Sequence, residues 1–274
     1  MRPVVLLKLG GSLITEKDRP DTARPELIAR LAGEIARAWP GMKGGLVLGH
    51  GSGSFGHAAA RALGLYGAGS SDAGRRPPEA VALGAPRVQA RAAALHSIVM
   101  AALQGAELPV FSVSPGSASI AAATRIGFFH DEPFALALSR SLLPVTYGDV
   151  VLDRERGAVI FSTETVLVEL AGALLRRGWP VARAIWLGET DGIYDADGRT
   201  VSRLSPSDAY ELQKAVGGSA ATDVTGGMAH RLDAVLSLAR LGIRSWIGDG
   251  RPADSLFKAL VEKQVGGTVV TADA

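Results

Sequence analysis

A chain of 274 residues with 47% hydrophobic side chains is long and apolar enough to bury one large α/β core or two small lobes, which excludes a disordered protein. Its 29 Lys and Arg against 27 Asp and Glu leave a net charge of +2, which excludes broad attraction to nucleic acid or a membrane surface and makes any anion binding local. The chain has no cysteine, so disulfides, thiolate zinc sites and cysteine nucleophiles are excluded together.

In chain order, the apolar run 4–9 predicts a strand. It is too short for a signal segment, nothing later approaches the ~18 apolar residues of a membrane span, and the expected compartment is the cytoplasm. Pro25 opens a helix that places Leu27, Ile28, Leu31 and Ile35 on one face before Trp39, Pro40 and Gly41 stop it. The run 46–48 predicts a second strand, and the Gly/Ser/Arg stretch 64–78 predicts a long loop of the kind that forms lids or binding elements. An alanine-rich helix is expected over 79–104, strands over 110–113 and 143–147, and a β-hairpin over 150–161 turning at Arg154 to Gly157. A strand over 181–187, a helix from Gly227 to Gly242 carrying Leu232, Val235, Leu236 and Leu238, and a strand over 243–247 complete the pattern. Short apolar strands alternating with helices predict a mostly parallel sheet covered on both faces. There is no internal repeat and no linker.

Three glycine-rich turns suit a phosphate. In the first, Lys8 and Leu9 run into Gly10, Gly11 and Ser12, with Lys17 following; glycine lets backbone amides approach an anion, and lysine adds a point charge. It is not a Walker A sequence. The second, LGHGSGSFGH over 48–57, satisfies G-x-G-x-x-G at Gly51, Gly53 and Gly56, with His50 and His57 flanking it. A dinucleotide site requires an acidic residue ending a strand ~20 residues on. Asp72 has that distance but lies in the Gly/Ser loop. A turn whose amides receive phosphate at a helix start, with His57 beside it, fits better. The third, Asp223 to Met228, opens the helix that carries Arg231 and reads equally as an N-cap by Thr225. The pair Asp191 and Gly192 is by itself a turn signal, and each turn taken alone also reads as a plain tight turn.

Taken together and in this order, KLGGSLITEK, HGSGSFGH, TYGDVVLD, TDGIYD and DVTGGM resemble the amino-acid kinase superfamily, and within it the isopentenyl phosphate kinase branch, over residues 8 to about 270. The resemblance implies a three-layer α/β/α sandwich with a mostly parallel central sheet, to which the hairpin read from residues 150–161 is an insertion. It implies an N-terminal lobe, 1–180, that holds the acceptor phosphate, and a C-terminal lobe, 181–274, that holds the nucleotide, on one continuous sheet. It implies ATP-dependent phosphorylation of isopentenyl phosphate to the diphosphate, with Mg2+ carried on the nucleotide and no metal ligand from the protein. The implied partners are a small-molecule phosphate and a second copy of the chain, without nucleic acid or membrane.

Carried over by position, Lys8, Gly10, Gly11 and Ser12 would hold the ATP phosphates with Lys17 nearby, and Gly53 would touch the transferred phosphate. Ser52, His57, Gly148 and Asp149 would hold the acceptor. Asp191, Gly226, Gly227 and Arg231 would belong to the nucleotide, and Lys8, Lys17 and His57 would be catalytic. A phosphate monoester has a second pKa near ~6 and is already nucleophilic at neutral pH, so charge neutralisation and positioning are required and a general base is not.

Two positions and one segment depart from the family pattern. Ser52 replaces a glycine of HGGGSFGH, Arg231 stands where lysine is common, and Phe161 to Glu164 departs from an SGDD-like run and carries no assignment. A fosfomycin kinase and a non-catalytic nucleotide sensor on the same fold are the competing expectations.

Overall fold

The computed structural model describes residues 1–56, 78–195, 197–208, 226–264 and 266–273. The chain begins with β1 (Val4–Leu9), a one-turn helix α1 (Gly11–Ile14), α2 (Pro25–Ala38), β2 (Leu46–His50), the long α3 (Pro78–Gly105) and β3 (Val110–Ser112). A middle section holds α4 (Pro115–Ala118), β4 (Ser119–Ala122), β5 (Arg125–Phe129), α5 (Glu132–Ser139), β6 (Leu143–Tyr147), β7 (Asp149–Asp153) and β8 (Gly157–Phe161). Then follow α6 (Thr163–Arg176), β9 (Val181–Gly188), β10 (Arg203–Leu204), α7 (Gly226–Arg240), β11 (Arg244–Asp249), α8 (Ser255–Leu260) and β12 (Thr268–Val270).

Eight strands form one sheet in the order β10-β12-β11-β9-β1-β2-β6-β3, parallel throughout except where β11 meets β12. β1 lies inside the sheet with every residue buried, the pattern of a parallel strand covered on both faces. Alternate side chains go to opposite faces. Val4 and Leu6 join the core under α6 and α7, where Leu167, Leu170 and Leu238 are buried. Val5, Leu7 and Leu9 join the core under α2, α3 and α8, with Ile28, Leu31 and Leu95. Each such leucine withdrawn from water contributes about 1.5–3 kcal/mol. Two helical layers around one sheet are the expected sandwich. The same alternation sends Lys8 to the α6 and α7 face at the carboxyl end of the strand.

Pro25 occupies the first turn of α2, and a 3-10 turn over Trp39–Gly41 closes it. Of the residues expected on its inner face, Ile28, Leu31 and Ile35 are buried and Leu27 packs at the margin. The predicted hairpin exists as β7 and β8, but it belongs to a second sheet of order β5-β4-β7-β8. Strands β4 and β5 left no turn signal in the sequence because Ala123 and Thr124, with φ 51° and 70°, make the left-handed turn that glycine or asparagine usually makes. The Thr124 amide donates to Asp153 at 2.8 Å, which helps hold this turn. Helix α6 was also not anticipated. Ser162 caps it, accepting from the Thr165 amide at 3.2 Å. The loop expected over 64–78 lies, save for its last residue, outside the described residues.

Candidate active site

The carboxyl ends of β9, β1 and β2 are side by side, the edge at which parallel α/β sheets bind ligands. Backbone bonds join the three ends: the Gly10 amide donates to the Leu187 carbonyl at 2.7 Å, and the Gly51 amide to the Leu9 carbonyl at 2.9 Å. The first two glycine turns predicted from sequence therefore form a single junction. A Cβ on Gly11 would run into the nitrogen of Gly53, and one on Gly51 would lie 2.7 Å from the nitrogen of Gly11. Gly53 has φ +50°, where only glycine is unstrained. Thr15 pins the junction by donating to the Gly11 carbonyl at 2.8 Å and accepting from the Ser54 amide at 3.0 Å. The Ser52 and Gly53 amides have no hydrogen-bond partner among the described residues.

Three charged side chains meet behind the glycines. Lys8 from β1 forms a buried ion pair with Glu164 from the first turn of α6, where the helix N-terminus also favours a carboxylate. Arg231 from α7 is 7% exposed, and its guanidinium fills the space beside Gly10 and Gly188. Burial pushes the Lys8 ammonium below its ordinary range, against the pull of Glu164, and Arg231 pushes in the same direction as burial. Burial would raise the Glu164 carboxyl, but the Lys8 charge and hydrogen bond hold it below the usual range. Burial also lowers Arg231. Its Nε and Nη1 are buried and have no partner among the described residues. Two cations against one carboxylate, with a guanidinium edge unsatisfied, is a costly arrangement unless an anion arrives.

Lys17 sits on the exposed rim and pairs with Glu189 just beyond β9 at 3.0 Å. Arg24 holds the same carboxylate at 2.7 Å and also pairs with Glu16. On the nucleotide side of the predicted set, Asp191 accepts from Tyr194 at 2.6 Å and Thr200 at 2.8 Å in an exposed turn. Gly226 and Gly227 form the first residues of α7.

On the other side of the glycine junction, Ser52, Gly56, Gly148 and Asp149 line a cleft together with the apolar side chains of Val88, Ala92 and Ile160. The Gly148 amide donates to the His50 carbonyl at 3.2 Å, which ties the β6–β7 turn to β2. The Asp149 carboxylate is buried and bonded to Ser114 at 2.9 Å, to the Val150 amide at 2.8 Å and to the Gly116 amide at 3.3 Å. Burial raises its pKa despite these donors. Its side chain thus shapes the cleft wall from behind. His57 and residues 223–225 lie outside the described residues.

The structure therefore brings Lys8, Gly10, Gly11, Gly53 and Arg231 to one corner and Ser52, Gly148 and Asp149 to the adjoining cleft. Sequence reasoning passed over Glu164. The signal was available: a lysine on a strand that is otherwise entirely apolar needs a buried counter-charge. What the sequence did not show is which of many carboxylates supplies it.

The model of the amino acid kinase family matches residues 3–249. The isopentenyl phosphate kinase of Methanothermobacter thermautotrophicus is 31% identical over 277 residues, spanning 98% of this chain and 99% of the relative. That of Methanocaldococcus jannaschii is 27% identical over 272 residues, spanning 97% and 98%. A solved structure of an isopentenyl phosphate kinase superposes with a TM-score of 0.79 at 27% identity, covering 97% of this chain and 99% of that one.

Proposed function

The chain belongs to the amino acid kinase family and, within it, to the isopentenyl phosphate kinases, and on that footing we propose that it transfers the γ-phosphoryl group of ATP to isopentenyl phosphate, yielding isopentenyl diphosphate for isoprenoid synthesis. The observation that carries the reading is the buried edge of Arg231, without a partner among the described residues, beside Lys8 and the glycine junction, a cationic corner suited to a polyanion. The apolar lining of the adjoining cleft supports an acceptor with a hydrocarbon tail.

In this assignment Lys8 and Arg231 neutralise the nucleotide phosphates, and the Gly10, Gly11 and Ser12 backbone approaches them without side-chain obstruction. Lys17 covers the rim. Gly53 faces the transferred group, and Asp191, Gly226 and Gly227 belong to the nucleotide. The Ser52 amide, Gly148, the backbone at Asp149 and His57 hold the acceptor phosphate, which attacks without a general base because it is already anionic. Mg2+ would enter on the nucleotide and neutralise charge there. Among the described residues no group of three or more His, Asp or Glu side chains is placed to hold a metal alone. The proposed working form is a cytoplasmic homodimer, as the family resemblance implies. No helix among the described residues is long and apolar enough to cross a membrane.

Coupled ADP release against isopentenyl phosphate, dimethylallyl phosphate, fosfomycin, aspartate and N-acetylglutamate tests the reading. The highest kcat/KM is expected for isopentenyl phosphate, with no turnover of the two carboxylates. Preference for fosfomycin would replace the substrate, and silence with every acceptor would leave a nucleotide sensor. His57→Ala is expected to lose roughly 10²- to 10³-fold in rate with the fold intact, the loss typical of a removed transition-state donor.

A further inference from the structure

Beneath the floor of the acceptor cleft runs a line of hydrogen bonds that the mechanism above does not use. His50 Nδ1 lies 3.1 Å from the Gly51 carbonyl, its Nε2 lies 2.9 Å from His96 Nδ1, and His96 Nε2 lies 2.8 Å from Ser112 Oγ. The two imidazoles and Tyr147 stack on one another, with His96 and Tyr147 ring centroids 4.3 Å apart. His50 and His96 are buried, while Ser112 is on an exposed stretch of β3. His96 follows the cleft-lining Ala92 by one turn of α3, so the two residues are neighbours on one face of the helix.

The proton positions follow from what each end can do. The Gly51 carbonyl only accepts, so His50 carries its proton on Nδ1 and its Nε2 must accept. His96 then donates from Nδ1 and accepts the Ser112 hydroxyl at Nε2. Both rings are neutral: burial, with the neighbouring histidine, lowers His50 to about 3, and burial lowers His96 to about 4. The line therefore has one direction and ends on one backbone carbonyl.

That carbonyl shares a peptide plane with the Ser52 amide, and in a planar trans peptide the C=O and the following N–H point in opposite directions. A Gly51 carbonyl held toward His50 turns the Ser52 N–H away from the relay. The same amide is without a partner among the described residues, and Ser52 lines the cleft. Glycine at 51 allows the plane to rotate, so an external hold is needed. We propose that His96 is a positioning residue for the transfer: through His50 it fixes the Gly51 carbonyl and thereby aims the Ser52 amide at the acceptor phosphate. The proposal rests on the acceptor reading of that amide.

Two variants and one spectroscopic measurement test it. His96→Phe keeps a ring against Tyr147 but removes the donor to His50. It is expected to raise KM for isopentenyl phosphate about tenfold, the scale of one hydrogen bond left unmade, with KM for ATP within about twofold. His96→Asn keeps a donor near the Nδ1 position and is expected to recover most of the loss. In the unmutated enzyme, 15N spectra of labelled histidines are expected to show pure Nδ1–H tautomers for both rings, the His96 signals being assigned by their absence in His96→Asn. An Nε2–H tautomer in either ring would overturn the relay even if His96→Phe failed to fold. So would equal rises in both KM values, an unchanged KM for isopentenyl phosphate in His96→Phe, or no recovery in His96→Asn. Lack of isopentenyl phosphate turnover by the unmutated enzyme would instead remove the acceptor reading, and the tautomers would still decide the relay.

Discussion

Lys8 and Glu164 are 156 positions apart in the chain and meet as a buried ion pair at the carboxyl end of β1, with the Arg231 guanidinium close enough to act on both. The pair places one fixed negative charge among two cations. It holds Lys8 at the site when the nucleotide is absent and leaves a net positive corner for phosphate.

Removing either partner of this pair has distinct consequences. Glu164→Ala leaves Lys8 and Arg231 buried without a counter-charge and is expected to destabilise the protein by about 3–5 kcal/mol, read from urea unfolding. Lys8→Met is expected to reduce turnover by roughly 10²- to 10³-fold, since a donor to the transferring phosphate is lost. The double variant Lys8→Met/Glu164→Leu should regain part of the stability, since Arg231 still lacks its counter-charge, and none of the activity. Recovery of activity in the double variant would mean that Lys8 serves only the fold.

Arg231 predicts the opposite coupling of stability and function. A buried guanidinium whose Nε and Nη1 have no partner among the described residues costs free energy when no ligand is bound, so Arg231→Met is expected to match or exceed the parent in unfolding midpoint without ligand. The same variant should raise KM for ATP about tenfold or more and leave KM for isopentenyl phosphate nearly unchanged. Arg231→Lys should keep most activity. A lower midpoint combined with an unchanged KM for ATP would show a structural arginine.

The glycine junction gives a steric prediction. In Gly11→Ala the new methyl meets backbone atoms of Gly53 and Gly51, which cannot move aside as a side-chain tip can. Loss of at least about 1–3 kcal/mol of stability, the scale of overpacking, is expected together with loss of turnover. Gly33→Ala is the control, because a Cβ there meets nothing and a helix interior favours alanine. Equal behaviour of the two alanine variants in thermal unfolding and ADP release would contradict the junction.

The buried histidines set the acid limit. Their folded-state values, about 3 for His50 and about 4 for His96, lie below the ordinary 6.5, so the unfolded chain binds the protons more tightly. The contribution is fully present above about pH 6.5 and is lost as pH falls toward about 4 for His96 and about 3 for His50, each ring removing up to about 1.4 kcal/mol per pH unit. Glu164 adds to the loss lower down, as pH falls from its ordinary 4.5 through its depressed folded value. Urea midpoints measured from pH 7 to pH 5 should fall, and the slope should lessen by about one proton in His96→Asn. A midpoint independent of pH in that range would contradict buried neutral rings.

By itself the sequence determined the α/β class, the placement of β1, α2 and α3, the β7–β8 hairpin and the order of the glycine turns, because these depend on local matters: strand and helix periodicity, a proline in a first turn, and glycine where backbones turn sharply. It also marked Lys8, Gly11, Gly53 and Arg231 as residues of interest, and their motifs occur in family order. It left β4 and β5 unseen because Ala123 and Thr124 take the left-handed turn without glycine, held in part by Asp153, a residue of another strand. Only the tertiary structure decided that, among the described residues, Glu164 answers Lys8 and Arg231 has an unsatisfied edge, and that His50 and His96 line up behind Gly51. Those facts depend on which faces of β1, α3, α6 and α7 are pressed together across long stretches of chain, and a buried charge or imidazole takes its chemistry from those neighbours.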